Sequence, residues 1–308
     1  MAVKNYLGAF GHVVLDYIVT VPRLPRPNTS IQILDRQRYF GGTAGNLARA
    51  AARLGLKTSL ASFVGPDFPD DYWIALEEEG VDLRDLRKIP FHTTPTAWVF
   101  SDRKGDQMAV IDQGPMKDAA RRAVLRHSVR DVELVHLGTG RPEYYAKVAD
   151  YAKELDRAVS FDPSQEIHYV YNSRLLRRLM ACADYFFGNE AEIATAKRFM
   201  RASSTEGLLD HASVVVATLG AKGSVVFTRG RKFRIPRVRP RRVVDVTGAG
   251  DAYRAGFYAG LAHDYDLRRC GILGSAVASF VVEGKGTQTN LPTWTQTLRR
   301  ASRYASFP

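Results

Sequence analysis

The chain predicts an α/β architecture: a mainly parallel central sheet flanked by helices, with a small β-sheet lid. Three observations lead there. The second half of the 308 residues alternates short apolar runs with amphipathic stretches, the rhythm of strand–helix units that build a parallel sheet. The first third carries strand-like runs with little helix of their own, as an inserted sheet would. Turn-forming or polar residues close several of the second-half runs, which gathers candidate chemistry at one sheet edge. One domain over residues 1–308 is expected, with lid strands inserted at about 13–39 and 95–113.

Composition bounds the class. Hydrophobic residues make up 45% and charged residues 25% of the chain, as in an ordinary globular protein with a large core. The opening MAVKNYLGAFGHVVLDY lacks the long apolar run of a signal peptide. No run of about 18 apolar residues occurs, so a membrane span is not expected. Cys182 and Cys270 are too few for a disulfide framework or a cysteine metal cluster. A cytoplasmic location is the expectation.

In chain order, VVLDYIVTV (13–21) and SIQILDRQRYF (30–40) read as strands. GGTAGNLARAAARLG (41–55) follows, and Leu47, Ala50, Ala51 and Leu54 fall on one helical stripe that Gly55 ends. Gly41 and Gly42 allow a ligand close to the backbone, and Asn46 in the first turn can donate and accept. A polyol would suit this geometry, although the same residues also serve plain turns. TAWVFSD (96–102) and QMAVID (107–112) complete the four lid strands. Such a lid excludes water from a pocket; edge strands of the main sheet are the alternative.

ELVHLG, AVSFDP, DYFFGN, SVVVATLG and SVVFT then supply the strands of the second half. Their ends carry Gly138-Thr139-Gly140, Asp162-Pro163, Gly188-Asn189 and Thr218-Leu219-Gly220. The net charge is +12, and RGRKFRIPRVRPRR (229–242) holds eight Arg or Lys and no acid. Its basic residues partly alternate with Phe233, Ile235 and Val238, as on the solvent face of an edge strand. A field that attracts polyphosphate is the other use of such a patch. No helix-turn-helix, zinc-finger or RNA-binding signature accompanies it, which argues against a nucleic-acid binder.

VVDVTGAGDAYRAGF (243–257) is the most informative stretch. A β-branched run enters a glycine turn that feeds a helix, and free N–H groups at a helix start attract anions. Asp251 stands in the mouth of that site. Two familiar phosphate devices are absent: GAKGS and EGKGT do not satisfy the P-loop pattern, and Tyr253 breaks the dinucleotide fingerprint. No His or Cys grouping has zinc spacing.

Five motifs in register resemble the ribokinase (PfkB) family of carbohydrate and nucleoside kinases over essentially the whole chain. They are GGTAGN with its helix, FVGPDFPDDYW, NEAE (189–192), VVATLGAKGS and DVTGAGDAYRAGF. The resemblance implies a ribokinase-like fold and phosphoryl transfer from ATP with Mg²⁺. It makes Asp251 the base that takes the acceptor's proton. Gly248, Ala249 and Gly250 shape the anion hole, in which the N–H groups of Ala249, Gly250 and Asp251 hold the γ-phosphoryl group. The helix N-terminus is expected to keep Asp251 ionised. Asp16, Gly42 and Asn46 are implied to bind the acceptor. Thr218, Gly220 and Gly223 are implied to line the nucleotide, and Asn189 and Glu192 to organise magnesium largely through water. Asp245 matches a position that supports a monovalent-cation site in many members. Val246 stands where many sugar kinases carry Thr, which leaves K⁺ open as a cofactor.

For the acceptor, DPSQEI (162–167), the IDQGPMKDA region and AYRAGF resemble the nucleoside branch, adenosine-kinase-like. Tyr39, Phe40 and Trp98 of the lid are candidates to stack on a nucleobase. A sugar or sugar-phosphate acceptor stays open, since ribokinase-, fructokinase- and 6-phosphofructokinase-like members share the main motifs. The lid of this family often doubles as an interface, so a homodimer through it is implied.

Overall fold

The computed structural model describes residues 5–104 and 106–307. Nine strands form the main sheet: β1 (Leu7–Phe10), β4 (Thr58–Val64), β5 (Asp82–Lys88), β8 (Leu134–Leu137), β9 (Ala158–Phe161), β10 (Tyr185–Asn189), β11 (Val214–Thr218), β12 (Ser224–Thr228) and β13 (Arg231–Ile235). Their spatial order is β13-β12-β11-β10-β9-β8-β1-β4-β5. Every pairing from β11 to β5 is parallel, while β12 and β13 join antiparallel at one edge.

Alternation along the strands serves two cores. Leu7 and Ala9 of β1 face one side of the sheet, Phe10 the other; Phe187 and Phe186 of β10 divide in the same way. The first side is covered by α1 (Thr43–Arg53), α2 (Asp70–Glu78), α7 (Ala249–Ala262), α8 (Leu267–Val281) and α9 (Trp294–Ala301). The second is covered by α3 (His127–Arg130), α4 (Pro142–Glu154), α5 (Ser173–Met180) and α6 (Glu190–Met200). Helices on both faces explain the continuous apolar runs of the parallel strands.

A second sheet has the order β3-β2-β6-β7, from β2 (Val14–Thr20), β3 (Asp35–Gly41), β6 (Thr96–Ser101) and β7 (Gln107–Asp112). These are the four expected lid strands, except that β3 begins at Asp35 and residues 30–34 are not strand. The first third is not all lid, however. It also supplies β1, β4 and β5 of the main sheet. Small residues such as Gly8, Ala9, Ser59, Ala61 and Ser62 weaken the apolar signature of β1 and β4, although all five are buried.

The basic run 229–242 contains edge strand β13, with Ile235 and Val238 buried and Arg231, Lys232 and Arg234 exposed. Among the described residues, no helix is long and apolar enough to cross a membrane.

Candidate active site

A cleft of about 640 Å³ opens where the carboxyl ends of β10 and β11 meet the start of α7. Of the residues singled out in the sequence, Asn189, Glu192, Thr218, Gly220, Gly223, Gly248, Ala249, Gly250 and Asp251 all line it. Loops at the ends of parallel strands bring them together from distant segments. Asp16 of lid strand β2, and Gly42 and Asn46 at the start of α1, do not line the cleft, but Asn46 reaches Asp251 by a hydrogen bond.

Gly248 caps α7 with φ of 75°, a left-handed conformation that favours glycine. A Cβ there would also press on the Thr287 side chain at 2.8 Å. The backbone N–H groups of Gly250 and Asp251 carry no hydrogen bond among the described residues. They are therefore available to an anion at the helix start. Ala249 differs from expectation: its N–H is turned to the Val246 carbonyl at 3.3 Å, closing the turn.

Asp251 is buried between two partners. Asn46 Nδ2 donates to its Oδ2 at 2.8 Å, and Arg254 lies 3.2 Å from its Oδ1. Burial pushes its pKa up to about 7; the Asn46 bond lowers it, and the charges of Asp16 and Glu192 raise it. Burial thus works against the ionisation expected from the helix dipole. Removing the carboxylate from water outweighs the Asn46 hydrogen bond. A carboxylate with this pKa is a stronger base than an exposed one.

Arg254 is the main residue that motif reading missed. It forms an ion pair with Asp162 as well as with Asp251, and burial lowers its pKa to about 10. A signal was present, because an arginine inside the apolar AYRAGF turn of a helix needs a buried acid. Asp162 directly follows β9, and its Oδ1 also accepts from the Ser164 N–H at 2.8 Å.

Asp16 projects from β2 beneath the lid, and burial together with the Asp245 charge raises its pKa to about 7. Gly42 caps α1 with φ of 87°, and a Cβ there would collide with the His12 carbonyl. Asn46 does more than the motif suggests. Its Oδ1 accepts from Thr287 Oγ1 at 2.7 Å and Gln288 Nε2 at 2.9 Å, joining α1 to the loop after α8.

Asn189 and Glu192 form a capping box on α6: Asn189 Oδ1 accepts from the Ala191 and Glu192 N–H groups, and Glu192 Oε2 from the Asn189 N–H at 2.7 Å. Both still border the cleft. Among the described residues no group of three or more His, Cys, Asp or Glu could hold a metal. That donor set fits a water-mediated role for magnesium, not a cage. Asp245 uses both oxygens on backbone, Oδ1 from Thr247 N–H at 2.9 Å and Oδ2 from Gly286 N–H at 3.0 Å. Burial raises its pKa, but these bonds and the Lys285 charge leave it lowered.

The aromatic lid candidates divide by strand periodicity. Asp16 pairs with Tyr39 and Ala97, so those share its face, whereas Phe40 and Trp98 point to the opposite one. Phe40 stacks on Tyr72 and Trp98 on Tyr17, each at 4.3 Å between ring centroids. Only Tyr39 of the three shares the face of Asp16. The segments singled out as nucleoside-like do meet: Gln113 Nε2 donates to Glu166 Oε1 at 3.3 Å, and Glu166 Oε2 accepts from the Gly140 N–H.

This geometry has close relatives. The nucleoside kinase of Methanocaldococcus jannaschii is 37% identical over 295 residues, covering 96% of each chain. That of Methanothermobacter thermautotrophicus is 38% identical over 307 residues, covering 97% of this chain and 96% of its own. The crystal structure of the M. jannaschii enzyme superimposes with a TM-score of 0.91 over 99% of this chain and all of that one, at 35% identity. A Burkholderia thailandensis nucleoside kinase in complex with inosine superimposes with a TM-score of 0.84 at 25% identity, over 96% of this chain and 97% of that one. The family model for pfkB carbohydrate kinases matches residues 4–294, and with these full-length likenesses the chain belongs to that family of phosphotransferases.

Proposed function

We propose that this protein is an ATP-dependent kinase that phosphorylates the 5′-hydroxyl of a nucleoside. The observation that carries the reading is the position of Asp251. It lines the cleft beside two N–H groups with no other partner, and it feels the charge of Asp16 on lid strand β2. The names of the archaeal relatives and the inosine complex of the Burkholderia enzyme support a nucleoside acceptor.

In this reading the cleft takes the nucleotide, with Thr218, Gly220 and Gly223 along its wall. The Gly250 and Asp251 N–H groups face the transferring phosphoryl group, where charge accumulates in a loose transition state. Asp251 orients the acceptor hydroxyl and accepts its proton. Asp16 and Asn46 hold the ribose hydroxyls, and the lid excludes water. Bound with the nucleotide, magnesium would neutralise phosphate charge, with Asn189 and Glu192 ordering its waters. Each Asp245 oxygen accepts one backbone N–H and keeps a further acceptor site, so K⁺ stays open as a cofactor in this reading. Exposed Met108, Val110 and Ile111 on outer strand β7 support a homodimer through the lid.

The test is ADP release from Mg-ATP against a panel of nucleosides, pentoses, hexoses and hexose phosphates, with Asp251→Asn alongside. Nucleoside-dependent turnover lost in the variant is the expected result. Turnover with sugars alone would sink the nucleoside assignment and keep the chemistry.

A further inference from the structure

Behind the cleft lies a separate pocket of about 310 Å³, lined by Arg239, Arg241, Arg299, Arg303, Phe280 and Tyr304, with no carboxylate in its wall. Arg300 also borders it, but its charge is met by Glu283 at 2.8 Å and its guanidinium rests on the Phe280 ring. Glu283 is further engaged by the Arg241 backbone N–H at 2.7 Å. The nearest acid is therefore committed. Arg239, Arg241, Arg299 and Arg303 form no ion pair among the described residues.

Four exposed guanidinium groups without a carboxylate partner around one concavity leave a positive field that favours a bound anion. Helix-dipole compensation accounts for Arg299 at the end of α9. It does not account for Arg239 and Arg241, which arrive from the strap after β13. That strap is held in place: the Val238 N–H donates to Ser275 Oγ at 2.8 Å, and the Arg239 N–H donates to Tyr304 Oη at 3.0 Å. The arginines thus extend from an anchored backbone. Their planar forks suit phosphate oxygens. A small concavity with an aromatic floor suits a compact anion better than an extended strand of nucleic acid.

We infer that this arginine pocket binds a small polyphosphate anion, free or carried by a nucleotide, at a site distinct from the cleft. It is also wired to the cleft. Val238 and Pro240 line the cleft while Arg239 and Arg241 line the pocket, and Ser279, a cleft residue, accepts from Arg300 at 2.9 Å.

The test is calorimetric titration of the full chain with inorganic tripolyphosphate, then with ADP. Three proteins are compared: wild type, Arg299→Ala/Arg303→Ala, and Arg174→Ala/Arg177→Ala as an equal loss of exposed charge on α5. Expected is tripolyphosphate binding that weakens about tenfold or more in the first variant only. A second equivalent of ADP lost in that variant identifies a nucleotide as a source; its absence identifies free polyphosphate. Equal weakening in both variants, or none in either, overturns the site. So does a single-stranded oligonucleotide that loses affinity in the first variant while tripolyphosphate never binds.

Discussion

Asn46 and Asp251, 205 positions apart in the chain, share a buried hydrogen bond of 2.8 Å between Nδ2 and Oδ2. The bond couples α1, which begins under the lid, to the helix whose N-terminus faces the cleft. The same amide oxygen receives Thr287 and Gln288. Asn46→Ala should therefore remove three buried hydrogen bonds, although each partner keeps another contact, and cost on the order of 1–3 kcal/mol. Urea unfolding would measure it, and a loss below about 1 kcal/mol would deny Asn46 this linking role.

Asp251→Asn should lower turnover by about 10²–10⁴-fold with a folded protein. Steady-state kinetics with the best acceptor decides the matter. Retention of more than a tenth of wild-type turnover would remove Asp251 from the role of base.

The pH dependence follows from burial. With Asp251 and Asp16 both raised to about 7, kcat/KM should climb as pH rises from about 6 to 8, as the base loses its proton. Stability runs the other way. The folded state holds these protons at pH values where the unfolded chain has released them, so their contribution falls as pH rises from about 4 to 7 and stays low above it. Asp251→Asn should exceed wild type in stability at pH 8 by on the order of 2–4 kcal/mol, with the gap closing towards pH 4. Denaturation at both pH values would reveal it; a pH-independent gap would contradict the burial argument.

Arg254 bridges Asp251 and Asp162. Arg254→Leu leaves Asp162 without its cation and should destabilise by about 3–5 kcal/mol. Arg254→Lys should recover only part of this, since one ammonium replaces a fork that reaches two carboxylates. Full recovery of the melting temperature by Lys would show that charge alone matters there.

Gly248→Ala tests the turn. Left-handed φ and the close Thr287 side chain should together cost about 1–3 kcal/mol. Turnover should fall more steeply than stability, because the N–H groups of Gly250 and Asp251 move with the turn. Unchanged turnover would mean that the cap tolerates a side chain and that the anion hole is formed elsewhere.

Local chemistry made much of this protein legible before any fold was seen. Glycine turns, a helix start after Gly248 and the small polar residues closing β10 and β11 are short-range features. Each is dictated by backbone geometry within a few residues. They identified the cleft's lining and the motif order that points to phosphoryl transfer. The lid strands were equally readable, because β-branched and aromatic residues crowd runs such as VLDYIVT and TAWVFS.

What the local pattern did not carry was decided by long-range packing. β1 and β4 are buried between two helical layers, and their small residues look unremarkable until the sheet closes around them. Arg254 and Asp162 became partners only when β9 and α7 were brought to the same edge. The raised pKa of Asp251 belongs to the same class: a helix N-terminus can be read from sequence, but the loss of solvent around a carboxylate depends on everything that folds over it. Motif spacing therefore determined which residues face the cleft, while burial, a property of the whole packed chain, determined their charge and their partners.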